Sequence, residues 1–325
     1  MKYRKFGSTG YEVSEVGLGT WQFGGDWGEM AEETAHEILG SALDNGINFF
    51  DTADVYGGGR SESLIGDFLS PKDDRVYVAT KLGRLEGYPD DYSLELLRRC
   101  TENSLKRLKR DSIDLTQLHC IPKKHLESGE VFDWLRELKK EGKIRQFGAS
   151  VETIEEAMIC LKQDDLASLQ VIFNVFRQKA ADELFPKAAE KGVALIIRLP
   201  LASGLLAGKY TKETTFAPSD HRTYNKDGEA FNVGETFSGL PFELGVEIAD
   251  GLRPMVPDQM SMAQWALRWI LDHPQVSTII PGASKVAQVK SNADASELPA
   301  LGDDVHAKLK STYKESIEQK IRGQI

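Results

Sequence analysis

Short apolar runs recur along the chain, and each is followed by a loop and then by an amphipathic stretch. The runs are too short to be helices, and most are rich in β-branched or aromatic residues, which is typical of strands. Several are apolar on both faces, as strands of a parallel sheet covered by helices must be. The predicted strands are residues 15–19, 47–50, 76–80, 113–118, 144–148, 169–173, 193–197 and 276–280.

The segments between these runs carry the periodicity of amphipathic helices. Ser93 is a candidate N-cap for one helix, and Ser128 is a candidate N-cap for the next, which Gly142 would end. Similar patterns predict helices over residues 153–162, 182–191 and 261–272.

Eight strand units in a chain of 325 residues give about 41 residues per unit, which favours an α/β fold of the (β/α)8 TIM barrel type. A doubly wound open sheet is the alternative. Residues 3–13 predict a β-hairpin before the first barrel strand, placed to close the barrel floor, and a helix is expected at the C-terminus. We expect a single domain over residues 1–325, with a long irregular loop at 202–241 that carries function.

Composition and charge exclude several classes of protein. Hydrophobic residues make up 41% and charged residues 28%, which is typical of a globular chain rather than a disordered one. The formal net charge of −10 argues against nucleic-acid and anionic-membrane partners. No apolar run reaches about 18 residues, so no membrane span is predicted. Cys100, Cys120 and Cys160 form no C-x-x-C pair and indicate reduced thiols in a cytoplasmic protein.

Four titratable residues follow three neighbouring predicted strands. Asp51 and Tyr56 come after the second strand, Lys81 after the third and His119 after the fourth. Each type alone is usually a structural or solvated residue. In a parallel barrel, however, catalytic residues lie at the carboxyl ends of the strands, so their joint position predicts one site.

These residues together form a candidate proton donor. A tyrosine ionises near pH 10, and a neighbouring ammonium favours the phenolate, so we expect Lys81 to lower the pKa of Tyr56. Asp51 would orient Lys81, and His119 would hydrogen-bond a substrate carbonyl. The site contains no obvious source of the two electrons that a carbonyl reduction needs, which implies a separate hydride donor.

An ordered set of motifs then gives a resemblance that spans nearly the whole chain. The sequence resembles the aldo-keto reductase superfamily, which implies a (β/α)8 barrel, the catalytic tetrad Asp51, Tyr56, Lys81 and His119, and Tyr56 as general acid. The motifs are Gly17-Leu18-Gly19-Thr20-Trp21, Asp51-Thr52-Ala53-Asp54-Val55-Tyr56-Gly57, Ala79-Thr80-Lys81, Leu118-His119, Gly148-Ala149-Ser150, Pro200-Leu201, Ser203-Gly204-Leu205-Leu206-Ala207-Gly208-Lys209-Tyr210 and Ile280-Pro281-Gly282-Ala283-Ser284.

The resemblance also implies an NADPH site, with NADH as a possible substitute, and no Rossmann G-x-G-x-x-G follows the first strand. The substrate would meet Trp21, Tyr56 and His119. Arg198 stands where an aromatic residue often stacks on the nicotinamide, and Val151 and Ser291 replace an asparagine and a glutamate. The predicted cofactor residues are Thr20, Trp21, Asp51, Ser150, Gln170 and Arg198 for the nicotinamide; Pro200, Leu201, Ala202, Gly204 and Lys209 for the pyrophosphate; and Arg222, Gly282, Ser284, Lys285, Gln288 and Asn292 for the adenosine phosphate.

Three functions compete. The first is NADPH-dependent reduction of a small-molecule aldehyde or ketone. The second is an NADPH-binding regulatory or redox-sensor module with little turnover, because potassium-channel beta subunits resemble the chain over residues 282–292. The third is a metal-dependent hydrolase, but the six histidines include no H-x-H or H-E-x-x-H cluster, so no metal is expected. The tetrad favours the reductase, and the sequence favours neither a monomer nor a homo-oligomer.

Overall fold

Eight parallel strands close into a barrel in the computed structural model, which describes residues 1–69 and 76–324. Each strand pairs with the next along the chain, and bridges from Val16 to Ile279 and from Gly19 to Gly282 join the first strand to the last. The predicted barrel is therefore confirmed, and the open doubly wound sheet is wrong. The strands are β1 (Tyr3–Lys5) and β2 (Glu12–Ser14) in a hairpin, then β3 (Leu18–Gly19), β4 (Phe49–Asp51), β5 (Tyr77–Leu82), β6 (Ile113–His119), β7 (Ile144–Ser150), β8 (Leu166–Ile172), β9 (Ala194–Arg198) and β10 (Val276–Ile279) in the barrel.

Helices cover the outside of the barrel and bury its apolar outer face. They are α1 (Glu32–Asp44), α2 (Arg60–Leu69), α3 (Leu94–Leu108), α4 (Lys123–Ser128), α5 (Glu130–Lys140), α6 (Ile154–Cys160), α7 (Lys179–Glu183), α8 (Phe185–Glu190), α9 (His221–Tyr224), α10 (Phe242–Leu252), α11 (Met262–Leu271), α12 (Val286–Asp294) and α13 (Asp303–Thr312). Short 3₁₀ turns lie at Trp21–Gly24, Ala202–Ala207, Val233–Glu235, Phe237–Gly239, Arg253–Met255 and Glu318–Lys320, and a π turn lies at Tyr313–Ile317.

Local capping explains where several helices begin. The Ser93 hydroxyl accepts a hydrogen bond from the Leu96 amide at 3.1 Å, as predicted. The prediction for Ser128 is wrong, because Ser128 ends α4 and its hydroxyl donates to the His125 carbonyl. Gly129, at φ 76°, instead separates α4 from α5. A left-handed turn of this kind is one that glycine adopts readily.

The helix predicted over residues 182–191 is two short helices. α7 ends at Glu183, and α8 begins at Phe185 with Pro186 in its first turn. Proline has no amide hydrogen to donate to the preceding turn, so the first helix cannot continue through it.

The β1–β2 hairpin closes the floor of the barrel, as predicted. Phe6 and Val13 are fully buried, and the ring centroids of Phe6 and Phe49 lie 5.5 Å apart. The Ser8 amide donates to the carbonyl of Gly192 at 2.8 Å, which ties the hairpin turn to the loop before β9. Because this end is sealed with apolar side chains, a polar site is left to the opposite end, where the strands finish.

Candidate active site

The strand register sets polar side chains side by side at the carboxyl end of the barrel. Lys81 on β5 is paired with Gln117 on β6, and His119 at the end of β6 is paired with Ser150 at the end of β7. Ser150 is in turn paired with Gln170 on β8. The register therefore brings residues far apart in the chain to one level of the barrel mouth.

Lys81 is the centre of this group. Its Nζ atom lies 2.5 Å from Asp51 Oδ1, 2.8 Å from the Thr52 carbonyl and 3.3 Å from the Tyr56 hydroxyl. Lys81 is 1% exposed and Asp51 2% exposed, so the ion pair is shielded from water. The structure thus brings three of the four predicted catalytic side chains into contact.

Asp51 is held on its other oxygen as well. Gln170 Nε2 donates to Asp51 Oδ2 at 2.7 Å, and Gln117 Nε2 donates to the same oxygen at 3.2 Å. Because the buried carboxylate accepts hydrogen bonds on both oxygens, its orientation is fixed toward Lys81. Sequence analysis missed Gln117, although its place on β6 two residues before His119 was a signal for it.

The electrostatics of Tyr56 differ from the prediction. Burial raises the pKa of Tyr56, the Lys81 ammonium lowers it, and the Asp51 carboxylate raises it again, so the pKa lies above its usual value of 10.0. Lys81 therefore acts on the Tyr56 pKa in the expected direction, but burial outweighs it and Asp51 opposes it, so the net shift is upward. Burial also opposes the charge on Lys81, but Asp51 outweighs it and raises the pKa of Lys81. The phenol is consequently protonated and the lysine charged at neutral pH.

His119 lies against the phenol and is neutral. Its ring meets the Tyr56 ring edge-on, with the centroids 5.9 Å apart. Burial lowers the pKa of His119 well below its usual 6.5, and the neighbouring cations Arg84, Lys81 and Arg198 lower it further. Its buried Nδ1 atom has no hydrogen-bond partner within the described residues. The site therefore presents a neutral imidazole beside a protonated phenol.

Trp21 forms a wall over the phenol. Its ring is stacked on Tyr56 with centroids 6.0 Å apart, and the His221 ring lies 4.6 Å from it. The indole N–H donates to Asp26 Oδ2 at 2.9 Å, and the Tyr224 hydroxyl donates to Asp26 Oδ1 at 3.0 Å. Asp26 thus connects the loop after β3 with α9 of the long loop across the barrel mouth.

Two residues predicted to meet the nicotinamide are buried beneath the mouth. The Thr20 hydroxyl donates to the Asp51 carbonyl at 2.9 Å, and Thr20 is fully buried. Ser150 is 1% exposed, and its hydroxyl lies 3.8 Å from Cys120 Sγ. Thr20 therefore supports the backbone of Asp51, whereas the Ser150 hydroxyl has only a weak partner.

Arg198 ends β9, and its side chain crosses the mouth toward β6 and β7. Its Nη2 atom donates to the Val151 carbonyl at 3.1 Å and lies 3.6 Å from Cys120 Sγ. Its Nη1 atom lies 3.5 Å from Glu235 Oε1. Two of the three positions at which the sequence departs from the family pattern, 151 and 198, thus contact each other.

Glu235 belongs to a charged cluster that sequence analysis missed. Arg84 Nη1 donates to Glu235 Oε1 at 3.1 Å, and Arg84 Nη2 lies 3.9 Å from Glu152 Oε1. Ligand atoms of Cys120, Glu152 and Glu235 lie within 4.8 Å of one another, but the guanidinium groups of Arg84 and Arg198 already neutralise this group and repel a cation. No local pattern in the long loop marked Glu235 as functional.

The pKa values of the two carboxyl groups in this cluster are shifted in opposite directions. Burial raises the pKa of Glu235, but Arg84 and Arg198 outweigh burial and hold it at about 2. Burial raises the pKa of Glu152 to about 7, and the negative charge of Glu235 contributes to this rise. Glu152 at the barrel mouth therefore changes its protonation state near neutral pH.

The backbone after β9 is strained where the sequence predicts pyrophosphate contacts. Leu199, Ala202 and Ser203 have φ values of 52°, 49° and 54°, followed by Gly204 at 96°. Such conformations are costly for residues other than glycine and cluster at ligand sites. A Cβ atom on Gly204 would lie 2.3 Å from the Tyr210 hydroxyl, so only glycine fits there. Of the other predicted residues of this segment, Lys209 is exposed.

Arg222 is engaged by the protein itself. It donates to Asp220 through Nε at 2.9 Å and Nη2 at 2.5 Å, and its Nη1 donates to the Tyr210 hydroxyl. Its guanidinium lies 4.7 Å from the Trp27 ring and 4.2 Å from the Phe216 ring. The predicted phosphate contact would compete with these partners, and the position of Arg222 is that of a residue that holds the long loop together.

The predicted adenosine-phosphate segment surrounds the start of α12. Gln288 Oε1 accepts from the amides of Ser284 at 2.7 Å and Lys285 at 3.1 Å, and Asn292 Nδ2 donates to the Gly282 carbonyl at 3.5 Å. α12 begins at Val286, so Ser284 precedes the helix that carries Gln288 and Asn292. Lys285 is exposed and available to an anion.

Comparison with known proteins shows the family of the chain. The Aldo/keto reductase family matches residues 15–314, and the chain belongs to that family. It is thus an oxidoreductase of a family that uses NADP(H). Among the described residues, no helix combines the length and the apolar character needed to cross a membrane.

Similar proteins extend over most of the chain. Aldo-keto reductase YhdN of Bacillus subtilis (strain 168) is 33% identical over 302 residues, covering 90% of this chain and 87% of YhdN. L-galactose dehydrogenase of Arabidopsis thaliana is 31% identical over 318 residues, covering 94% and 91%. The holo form of aldo-keto reductase AKR11C1 from Bacillus halodurans superposes with a TM-score of 0.78 at 28% identity, covering 99% of this chain and 100% of that one. Glycerol dehydrogenase AKR11B4 from Gluconobacter oxydans gives 0.76 at 29%, covering 97% and 95%.

Proposed function

We propose that this protein reduces a small aldehyde or ketone to the alcohol with NADPH, and that Tyr56 donates the proton. The observation that supports this most directly is the 3.3 Å contact between the Tyr56 hydroxyl and the buried Lys81 ammonium at the barrel mouth. A phenol with a raised pKa keeps its proton until a stronger base appears beside it. The alkoxide that develops from a carbonyl during reduction is such a base.

The residues at the mouth fit a nicotinamide dinucleotide. Four residues between Leu199 and Gly204 have positive φ, and His119 Nδ1 is a buried polar atom without a partner in the described part of the chain. The nicotinamide end would be held by Trp21, Ser150, Gln170 and Arg198, the pyrophosphate by residues 200–204, and a 2′-phosphate by Lys285. When bound, the reduced nicotinamide supplies a hydride for the carbonyl carbon.

The protein side chains then divide the remaining work. Neutral His119 hydrogen-bonds the carbonyl oxygen and directs it toward Tyr56. Tyr56 transfers its hydroxyl proton to that oxygen, and Lys81 stabilises the phenolate that remains. Asp51 holds Lys81 in place through their 2.5 Å contact. Because the pKa of Tyr56 is raised, the phenol keeps its proton at neutral pH and is available as the proton donor for reduction.

Replacement of Tyr56 by phenylalanine tests the proposal. Loss of a general acid typically costs a factor of about 10² to 10⁴, so kcat for NADPH oxidation with small aldehydes, sugars and ketones should fall by that amount. NADPH binding, followed by protein fluorescence, should stay close to that of the wild type. Tyr77→Phe is the matched control, since Tyr77 stacks on Tyr11 at the floor of the barrel.

Two outcomes would count against the proposal. Unchanged turnover in Tyr56→Phe would refute the role of Tyr56. If the wild-type protein binds NADPH tightly but no carbonyl compound in a broad panel causes it to oxidise NADPH, the sensor function is favoured instead.

A further inference from the structure

Two arginines at the barrel mouth share a single buried carboxylate. Glu235 is 4% exposed, and its Oε1 atom lies 3.1 Å from Arg84 Nη1 and 3.5 Å from Arg198 Nη1. Arg84 and Arg198 follow or end barrel strands, whereas Glu235 comes from the long loop after β9. The loop therefore places the negative charge of Glu235 against two cationic side chains of the barrel.

This cluster adjoins the reacting centre. Arg198 Nη2 lies 3.6 Å from the sulfur of Cys120, the residue directly after His119. Arg84 lies 5.3 Å from the Phe231 ring, which is itself 6.1 Å from the Trp21 ring over the phenol. Charges on these side chains are thus felt where the substrate and the nicotinamide would meet.

Without Glu235, this part of the mouth would carry a net positive charge. The charge of Lys81 is matched by Asp51, but Arg84 and Arg198 would have only Glu152 as a counter-charge. Glu152 lies 3.9 Å from Arg84, so it compensates the cluster less closely than Glu235 does. Glu235 is the residue that brings this part of the mouth near neutrality.

We propose that Glu235 sets the preference of the site between oxidised and reduced nicotinamide by neutralising Arg198 and Arg84. The inference rests on the proposed function, because it takes the nicotinamide to lie beside Arg198. The oxidised ring carries one positive charge and the reduced ring carries none. A net positive environment therefore penalises NADP⁺ selectively, and Glu235 removes that penalty so that product cofactor is not expelled from the site.

Glu235→Gln keeps the shape of the side chain and deletes its charge. The ratio of Kd for NADP⁺ to Kd for NADPH should rise on the order of tenfold, the effect of one charge acting over roughly 10 Å in a protein interior. Both constants are measured by calorimetry or fluorescence titration, with no turnover required. Glu213→Gln, the same change at an exposed residue of the same loop, is the control and should leave the ratio unchanged.

A second variant reverses the charge change. Arg198→Met should lower the ratio by a similar factor, and Glu235→Gln combined with Arg198→Met should return it toward the wild-type value. A role of Glu235 in packing alone would weaken both nucleotides equally and would not be rescued by removing Arg198. If Glu235→Gln alone folds poorly, Arg198→Met still tests the inference, because an unchanged ratio in that variant would overturn it.

The outcomes separate the inference from the proposed function. If the wild type binds both nucleotides and Glu235→Gln leaves their ratio unchanged, the inference is overturned while the reductase function stands. If the wild type binds neither nucleotide, both are overturned. A ratio that rises in Glu235→Gln and recovers in the double variant supports the inference.

Discussion

Lys81 is the buried cation of the site, and its replacement by methionine tests whether Lys81 and Asp51 are stable only as a pair. At 2.5 Å, their attraction is about 6–7 kcal/mol for an effective dielectric constant of about 20. Removing both ions from water costs several kcal/mol for each, so the pair contributes little net stability. A single replacement is different, because it leaves one charge buried without its partner.

Lys81→Met should therefore destabilise the fold strongly. Asp51 would keep only the hydrogen bonds from Gln117 and Gln170, and the expected loss in the free energy of unfolding is about 3–5 kcal/mol. Adding Asp51→Asn removes the stranded charge while an amide oxygen still accepts from both glutamines. The double variant should lie within about 2 kcal/mol of the wild type.

Urea denaturation followed by circular dichroism measures these changes for the two single variants and the double variant. The expected order of stability is wild type, then the double variant, then Lys81→Met. If the double variant loses as much stability as the two single variants added together, the two side chains do not act as a unit, and the reasoning fails. Activity should be lost in all three variants, since each removes part of the machinery that serves Tyr56.

Two further predictions concern charged groups around the mouth. The pKa of Glu152 is raised from 4.5 to about 7, so the folded state binds the extra proton and the stability from this group is lost as the pH rises through that window. Comparing urea midpoints of wild type and Glu152→Gln at pH 5 and pH 7.5 should show the variant losing less stability on the rise in pH, and an identical loss would contradict the assignment. Arg222→Met should lower stability by about 2 kcal/mol, since it breaks a partly buried ion pair with Asp220. It should weaken NADPH binding less than Lys285→Met does, and the reverse order would restore Arg222 as a phosphate ligand.

Local signals in the sequence predicted those features that local physics decides. The eight barrel strands were found because each is a short apolar run, and the helix start at Ser93 was found because its side chain caps the following turn. The helices that begin after Thr153 and Ser261 were found from their amphipathic periodicity. Ser128 and the segment 182–191 failed because a glycine turn and a proline divided stretches with continuous helical periodicity. Asp51, Tyr56, Lys81 and His119 were placed at one site because parallel strands end at one edge of a barrel.

The sequence by itself thus determined the barrel, its sealed floor and the cluster of groups at its mouth. Only the tertiary structure decided their charge state and their neighbours. The direction of the Tyr56 pKa shift depends on a balance between the burial of its side chain, Lys81 and Asp51. The burial of one tyrosine in a loop is not marked by a pattern in the sequence. The contact of Glu235 with Arg84 and Arg198 joins residues up to 151 positions apart through an irregular loop. Electrostatic energies depend on distance and solvent exposure in three dimensions, and neither quantity is written in the order of residues along the chain.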